Sequence, residues 1–282
     1  PQALVQGHCM NLKRDTRVQL VIVENGKFIL LNHLRISDNR AFWGLPGGGR
    51  EEGETDEEAA HREAMEETGL EIKLLPVQWE FLTGDDRYIY RRAVTFLAYP
   101  ISGTAIVGTE PESEEIEGYD FALMGLKWHD FYDNEGLEEI TRGSLVPLRE
   151  QLAKTPVVRR AGALVYDQKG DQVHYLVVSA KKDPDCLIFP MGHVEPGETL
   201  EETAAREAQE EAGVEVKIEQ NLGFFFYEQD DTIFQTDIFL ASLISDGPSS
   251  ESREKRWIQP EDLDQLNMFR EGKRFIRDLN IQ

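Results

Sequence analysis

The chain has 282 residues, in which 30 Lys plus Arg face 53 Asp plus Glu, for a formal net charge of −23. A surface this acidic repels nucleic-acid backbones and anionic membranes, so no nucleic-acid polymer and no membrane is expected as a partner. A small anion can still bind where a divalent ion reverses the local charge. Two cysteines, Cys9 and Cys186, indicate no disulfide framework, and neither the N-terminal stretch nor any apolar run has the length of a leader or a membrane span. The expectation is a cytoplasmic protein with room for two domains of ordinary size.

Arg17 to Val23 and Lys27 to Leu31 are apolar or β-branched runs separated by Glu24-Asn25-Gly26, so a hairpin of two strands is expected there. His33 to Phe42, HLRISDNRAF, reads as a polar loop carrying Arg35 and Arg40. It leads into Trp43-Gly44-Leu45-Pro46-Gly47-Gly48, whose glycines let backbone approach a ligand closely. Thr55 and Glu58 have the spacing of a capping box, and the Ala- and Glu-rich run after them should form a helix of about four turns ended by Gly69. Strands are expected at Glu71 to Leu75, Gln78 to Leu82 and Tyr88 to Tyr99, with a turn at Thr83 to Asp86. An acidic stretch with Glu110, Glu112, Glu114, Glu115 and Glu117 precedes a closing strand at Leu126 to Trp128 and a helix within Gly136 to Ala153.

A helix should end before Pro156, which places a boundary at Lys154-Thr155-Pro156 and domains at 1–154 and 155–282. The order of elements then repeats. Strands are expected at Ala161 to Tyr166 and His174 to Ser179, then the loop AKKDPDC, a strand end at Leu187 to Pro190, and a helix capped by Thr199 and Glu202 and closed by Gly213. After these come strands at Gly223 to Glu228, Ile233 to Ile244 and Arg256 to Ile258, and a helix within Glu261 to Leu279. Helices inserted twice between groups of strands argue for α/β architecture, a mixed sheet covered by helices on both faces in each half.

The duplication is explicit in one motif. Gly48 to Leu70 and Gly192 to Val214 both fit G-x5-E-x7-R-E-U-x-E-E-x-G-U, with U apolar. Gly48 and Gly192, Glu54 and Glu198, Arg62 and Arg206, and Gly69 and Gly213 all stand 144 residues apart. On a helix, Glu63, Glu66 and Glu67 lie on one face, as do Glu207, Glu210 and Glu211. Three carboxylates so close repel unless a cation joins them, and hard oxygen donors select Mg²⁺, with Mn²⁺ as a possible substitute. That chemistry suits attack on a phosphoanhydride by a metal-activated water. A lone E-x-x-E-E is more often a solvated face; the fixed glycines, remote Glu and Arg, present twice, reverse that reading.

Both stretches resemble the motif of Nudix hydrolases. The resemblance implies two tandem Nudix-type α/β/α sandwiches with mixed sheets. It also implies metal held by Glu63, Glu66, Glu67 and the Gly48 carbonyl in one copy, and by Glu207, Glu210, Glu211 and the Gly192 carbonyl in the other. Arg62 and Arg206 would orient the carboxylates, with Glu54 and Glu198 beside them; a planar guanidinium fork suits that task. The first copy is generic in form. In the second, FPMGHVEPGET is similar to the diadenosine tetraphosphate hydrolase branch, although Met191 stands where a Lys is usual. RRAGALVY and LVVSAKKDPDC resemble the diphosphoinositol polyphosphate branch, for which Lys181, Lys182, Arg159, Arg160, Arg253, Lys255 and Arg256 are the available cations. Dinucleoside polyphosphates rank first for the second site.

Arg40, Trp43 and Lys182 are candidate substrate contacts. Glu115 is the choice for a general base in the first copy, and Glu251, in the loop before Trp257, for the second. The expected activity is Mg²⁺-dependent cleavage of phosphoanhydride bonds in nucleoside diphosphate-linked small molecules at two sites, the partner being a small phosphorylated substrate of nucleotide type. The alternative is one catalytic domain beside a nucleotide-sensing or dimer-mimicking module. With one copy able to stand in for a second subunit, the chain is expected as a monomer or weak homodimer.

Overall fold

The structure is a computed structural model that describes residues 16–82, 90–109, 121–170, 172–251 and 253–279. The chain forms two compact units. The first takes Pro1–Ile22, Ile29–His129 and Asp133–Lys154, and the second takes Val23–Phe28, Asp130–Tyr132 and Thr155–Gln282.

The first sheet contains β1 (Thr16–Glu24), β2 (Lys27–Arg35), β3 (Arg40–Gly44), β4 (Leu70–Leu82), β5 (Arg92–Gly103) and β6 (Phe121–Asp130). Its order is β3-β2-β1-β5-β4, with β6 also paired to β2. β1 runs parallel to β5 and antiparallel to β2, so the sheet is mixed. Asn25 and Gly26 turn the β1–β2 hairpin with φ of 50° and 73°, the positive values a tight primed turn demands. Helix α1 (Asp56–Thr68) lays Ala59, Ala60 and Ala64 against Val18, Leu20 and Ile22 of β1 and Val94, Phe96 and Ala98 of β5. Small alanines let the helix come close to the sheet. Helix α2 (Glu139–Lys154) buries Leu145, Leu148 and Leu152. Its Ser144 bonds Gln19, which alternates with Val18 and Leu20 along β1, and this places α2 on the opposite face.

The second sheet has the order β11-β12-β7-β8-β13, with β9 on β8 and β10 on β7. Its strands are β7 (Val157–Lys169), β8 (Gln172–Ser179), β9 (Leu187–Ile188), β10 (Met191–His193), β11 (Val214–Gln229), β12 (Thr232–Asp246) and β13 (Lys255–Ile258). β7 and β12 are parallel. Helix α3 (Leu200–Ala212) packs Ala204, Ala208 and Ala212 on one face with Ala161, Ala163 and Phe239. Helix α4 (Arg270–Asp278) buries Phe275 and Ile276 on the other with Leu164, Ile238 and Leu240. Both units are therefore α/β/α sandwiches. Among the described residues no helix is long and apolar enough to cross a membrane.

Three local expectations change. His33 to Phe42 is no loop: β2 and β3 continue through it, pairing His33 with Phe42 and Arg35 with Arg40. Arg35 closes the turn by donating to Asp38 at 2.9 and 2.6 Å, and Asn39 supplies φ of 55°. The two strands expected between Glu71 and Leu82 are one strand with a register shift between Leu74 and Gln78. β11 likewise starts at Val214 rather than Gly223 and absorbs its irregularity in three shifts, one reaching Gly223. The turn at Thr83 to Asp86 and the first residues of the strand expected from Tyr88 lie outside the described residues.

Candidate active site

Each motif folds as loop, helix and stop. Thr55 accepts from the Glu58 N–H at 3.1 Å while Glu58 accepts from the Thr55 N–H at 2.8 Å; Thr199 and Glu202 repeat this at 3.2 and 2.8 Å. Gly69 and Gly213 end α1 and α3 in the left-handed region, at φ of 67° and 71°.

With both ends set, the helix phase aims the functional side chains. Arg62 Nε donates to Glu54 at 2.8 Å, and its Nη1 reaches Glu63 at 2.8 Å and Glu66 at 3.1 Å. Arg206 does the same, to Glu198 at 2.7 Å, Glu207 at 2.7 Å and Glu210 at 3.1 Å. The cation that first joins these carboxylates is thus a guanidinium. The remaining Nη2 of each arginine ties the cluster to the glycine turn, through the Gly49 carbonyl at 3.1 Å and the His193 carbonyl at 3.0 Å. Glu67 accepts from the Gly47 N–H at 2.6 Å, and Glu211 from the Met191 N–H at 3.2 Å.

The charges respond to these contacts. Burial pulls the Arg62 guanidinium down, but Glu54 and Glu63 outweigh it and hold it above its ordinary range; Glu198 and Glu207 raise Arg206 likewise. Arg206, then Thr203, holds Glu198 at about 2. Burial pushes Glu211 up to about 7, against the opposing pull of Arg253 and the Met191 N–H, while Glu207 and Glu251 add to the rise.

Does this arrangement fit a divalent ion? Among the described residues no group of three or more His, Cys, Asp or Glu side chains stands gathered as a cage. The donors are nonetheless of the right kind, carboxylate oxygens against a glycine turn, while the Gly48 carbonyl itself accepts from the Val18 N–H at 2.9 Å. A Cβ added at Gly48 would run into the Glu63 carboxylate, and one at Gly192 into that of Glu207, so only glycine lets the turn approach so closely. All-oxygen donors of this sort fit Mg²⁺ or Mn²⁺.

The other candidates are placed as follows. Glu251 lies at the C-terminal end of α3, its N–H on the Glu210 carbonyl at 3.1 Å and its carboxylate between Lys181 at 2.7 Å and Arg253 at 2.9 Å. Lys181 and then Arg253 hold its carboxyl below the ordinary value, against burial. Trp43 is half-buried, with the Lys127 ammonium 4.3 Å from its ring centroid. Arg40 opens β3 in an exposed position, four residues and about 13 Å of extended strand before Gly44. Lys182 makes an exposed pair with Asp230 at 3.7 Å. Glu115 lies outside the described residues.

Several neighbours of the site escape the motif. Arg17 donates to the Gly47 carbonyl at 2.7 Å, and Arg160 to the Met191 carbonyl at 3.0 Å, each just before the motif's first glycine. These arginines stand 143 residues apart, one short of the repeat, so aligning the copies does not pair them. Arg253 pairs with both Glu211 and Glu251. In the first unit the Thr109 N–H caps the Glu66 carbonyl at 3.0 Å, the place Glu251 takes on Glu210. No spacing rule announces either loop contact.

Fold and site together define a duplicated α/β protein in which a glycine turn and an arginine gather helix carboxylates side by side. The chain belongs to the Nudix family, since the NUDIX domain matches residues 13–142 and again 156–279. Nudix hydrolase 21, chloroplastic, of Arabidopsis thaliana is 33% identical to it over 94 residues, 32% of this chain and 48% of that protein. Diphosphoinositol polyphosphate phosphohydrolase 3-alpha of Mus musculus is 36% identical over 110 residues, 37% of this chain and 65% of that protein. The chain spans about half the length of the Arabidopsis relative and under two thirds of the mouse one. Among solved structures, the C. elegans Ap4A hydrolase binary complex aligns at 26% identity and a TM-score of 0.38, over 43% of this chain and 93% of that one.

Proposed function

We propose that the chain is a divalent-metal-dependent pyrophosphohydrolase of small phosphorylated substrates with two active sites, the second preferring dinucleoside polyphosphates. The observation that carries this reading is the pair of arginine bridges, Arg62 to Glu54, Glu63 and Glu66 and Arg206 to Glu198, Glu207 and Glu210, repeated in both motifs. Membership of a family whose relatives are named as hydrolases supports the chemistry.

A bound Mg²⁺ would supply Lewis acidity and neutralise charge building on the phosphates. Glu63, Glu66 and Glu67, with the Gly48 backbone, would hold it in the first site; Glu207, Glu210 and Glu211, with the Gly192 backbone, in the second. Arg62 orients Glu63 and Glu66, Arg206 orients Glu207 and Glu210, and the two arginines are themselves anchored by Glu54 and Glu198. Gly48 and Gly192, having no side chain, let the turn lie directly against the Glu63 and Glu207 carboxylates. Hydrolysis places a hydroxyl on one phosphorus of the P–O–P bridge and a proton on the departing oxygen. Glu251 is the group in reach of the second site's helix to take the proton the attacking water gives up.

The choice of substrate follows from charge. A diphosphoinositol polyphosphate, the ligand class in the mouse relative's name, needs many free cations. Here Arg159 pairs with Asp237, Lys181 with Glu251, Lys182 with Asp230, Lys255 with Asp246, Arg256 with Glu254, and Arg253 with Glu211 and Glu251. Arg160 donates to Tyr227 at 2.5 Å and to the Met191 carbonyl. With those cations engaged internally, a substrate of lower charge density is favoured. The test is a Mg²⁺-dependent hydrolysis screen of nucleoside triphosphates, ADP-ribose, sugar nucleotides, dinucleoside polyphosphates and diphosphoinositol polyphosphates, using the Glu67→Gln protein to observe the second site. Diadenosine tetraphosphate should be cleaved fastest; no turnover of it would sink the substrate assignment.

A further inference from the structure

We propose that Arg253 is the built-in counter-cation of the second site: it occupies Glu211 until a divalent ion arrives, and its departure releases Glu251, so that metal entry and freeing of the base are one event. The inference rests on the reading that Glu211 binds metal.

Three observations lead to it. Glu211 is the one carboxylate of its row to which Arg206 makes no bond; that guanidinium is committed to Glu198, Glu207, Glu210 and the His193 carbonyl. Glu211 has a side-chain exposure of only 3%, and an anion so buried needs a cation or several donors. Arg253, 9% exposed, meets that need with Nη2, while its Nε holds Glu251 at 2.9 Å.

One guanidinium therefore spans the carboxylate assigned to metal and the carboxylate assigned to the proton. A divalent ion on Glu211 would face the Arg253 charge across a single carboxylate, in surroundings that screen little, so the two cations compete. Once displaced, Arg253 no longer pins Glu251 to the buried row, and Glu251 keeps Lys181, a 63% exposed partner at 2.7 Å that faces solvent. Arg253 is thus a positioning residue that acts through Glu211 and Glu251, and by linkage it must weaken metal binding as much as metal weakens its ion pair.

The test uses the full chain in the Glu67→Gln background and measures Mn²⁺ binding by calorimetry, with thermal unfolding midpoints recorded with and without Mn²⁺. Arg253→Gln should bind Mn²⁺ about tenfold tighter or more. It should also melt earlier than its parent without metal and close that gap at saturating Mn²⁺. Arg253→Lys keeps the charge and should bind within about threefold of the parent, below the roughly fivefold at which typical allosteric coupling begins. Unchanged or weaker binding by Arg253→Gln, or equal tightening in Arg253→Lys, overturns the latch and leaves the metal site standing. No Mn²⁺ at the second site in parent and variants alike overturns the metal reading and the latch with it.

Discussion

The two units build the same guanidinium bridge but differ in what the following loop delivers to it. Arg62 and Arg206 reach their three carboxylates at distances that agree within 0.1 Å, because helix spacing and the capping box dictate the geometry. The backbone seat on the helix's C-terminal carbonyls is also shared: Thr109 donates to Glu66 and Glu251 to Glu210. The first unit thereby seats a hydroxyl where the second seats a carboxylate. The carboxylate row carried by the helix is present in both copies, whereas the loop residue seated beside it differs between them. Loops tolerate such change because few buried contacts constrain them.

The comparison breaks most sharply at the helix carboxylates. Calorimetric titration with Mg²⁺ should lose one class of sites in Glu67→Gln and the other in Glu211→Gln, since each changes a carboxylate in one row only. A double variant that bound Mg²⁺ as the parent does would refute the assignment of both faces.

The loop contrast comes next in size. In the Glu67→Gln background, Glu251→Gln should lower diadenosine tetraphosphate turnover by about two to four orders of magnitude with little change in binding. Turnover that survives this change yet disappears in Glu211→Gln would remove Glu251 from the mechanism while keeping the row of ligands.

Acidity sharpens the difference further. Glu211 is raised by burial from an ordinary 4.5 to about 7, so the folded protein holds a proton that the unfolded chain releases between those values. Its contribution to stability is fully present below about 4.5 and is lost as pH rises through about 7. Urea denaturation of the metal-free protein should show that decline across the window, and Glu211→Gln should flatten it. An unaltered slope would mean that other groups carry the dependence.

The smallest effect is expected to be the same in both units. Thr55→Ala and Thr199→Ala each remove a capping hydroxyl and should cost about 1 kcal/mol. Urea unfolding that found one cap several times more costly than the other would show that the two helices are not held alike.

Much of this was legible in residue order, and the reason is local. Caps, terminal glycines and the i, i+3, i+4 rows are contacts within one helix, where periodicity alone decides which side chains meet. The Arg62 and Arg206 bridges follow from the same periodicity plus one remote Glu at fixed distance. Composition makes the polar stretch from His33 to Phe42 look like a loop, while pairing of His33 with Phe42 across the turn makes it a hairpin. Register shifts in β4 and β11 were invisible for a related reason, since a bulge is decided by the partner strand.

Residue order alone carries the duplication, the α/β class, the two capped helices and the identity of the carboxylate rows. Folding is what brings Arg17 and Arg160 onto the carbonyls before the first motif glycines, although the repeat arithmetic does not align them. It alone set Thr109 and Glu251 on equivalent carbonyls and Arg253 between Glu211 and Glu251. The physical reason is reach. Bonds inside a helix are specified by neighbours a few residues away, whereas a loop residue 40 or more positions downstream meets the helix only after the sheet has paired and the core has closed.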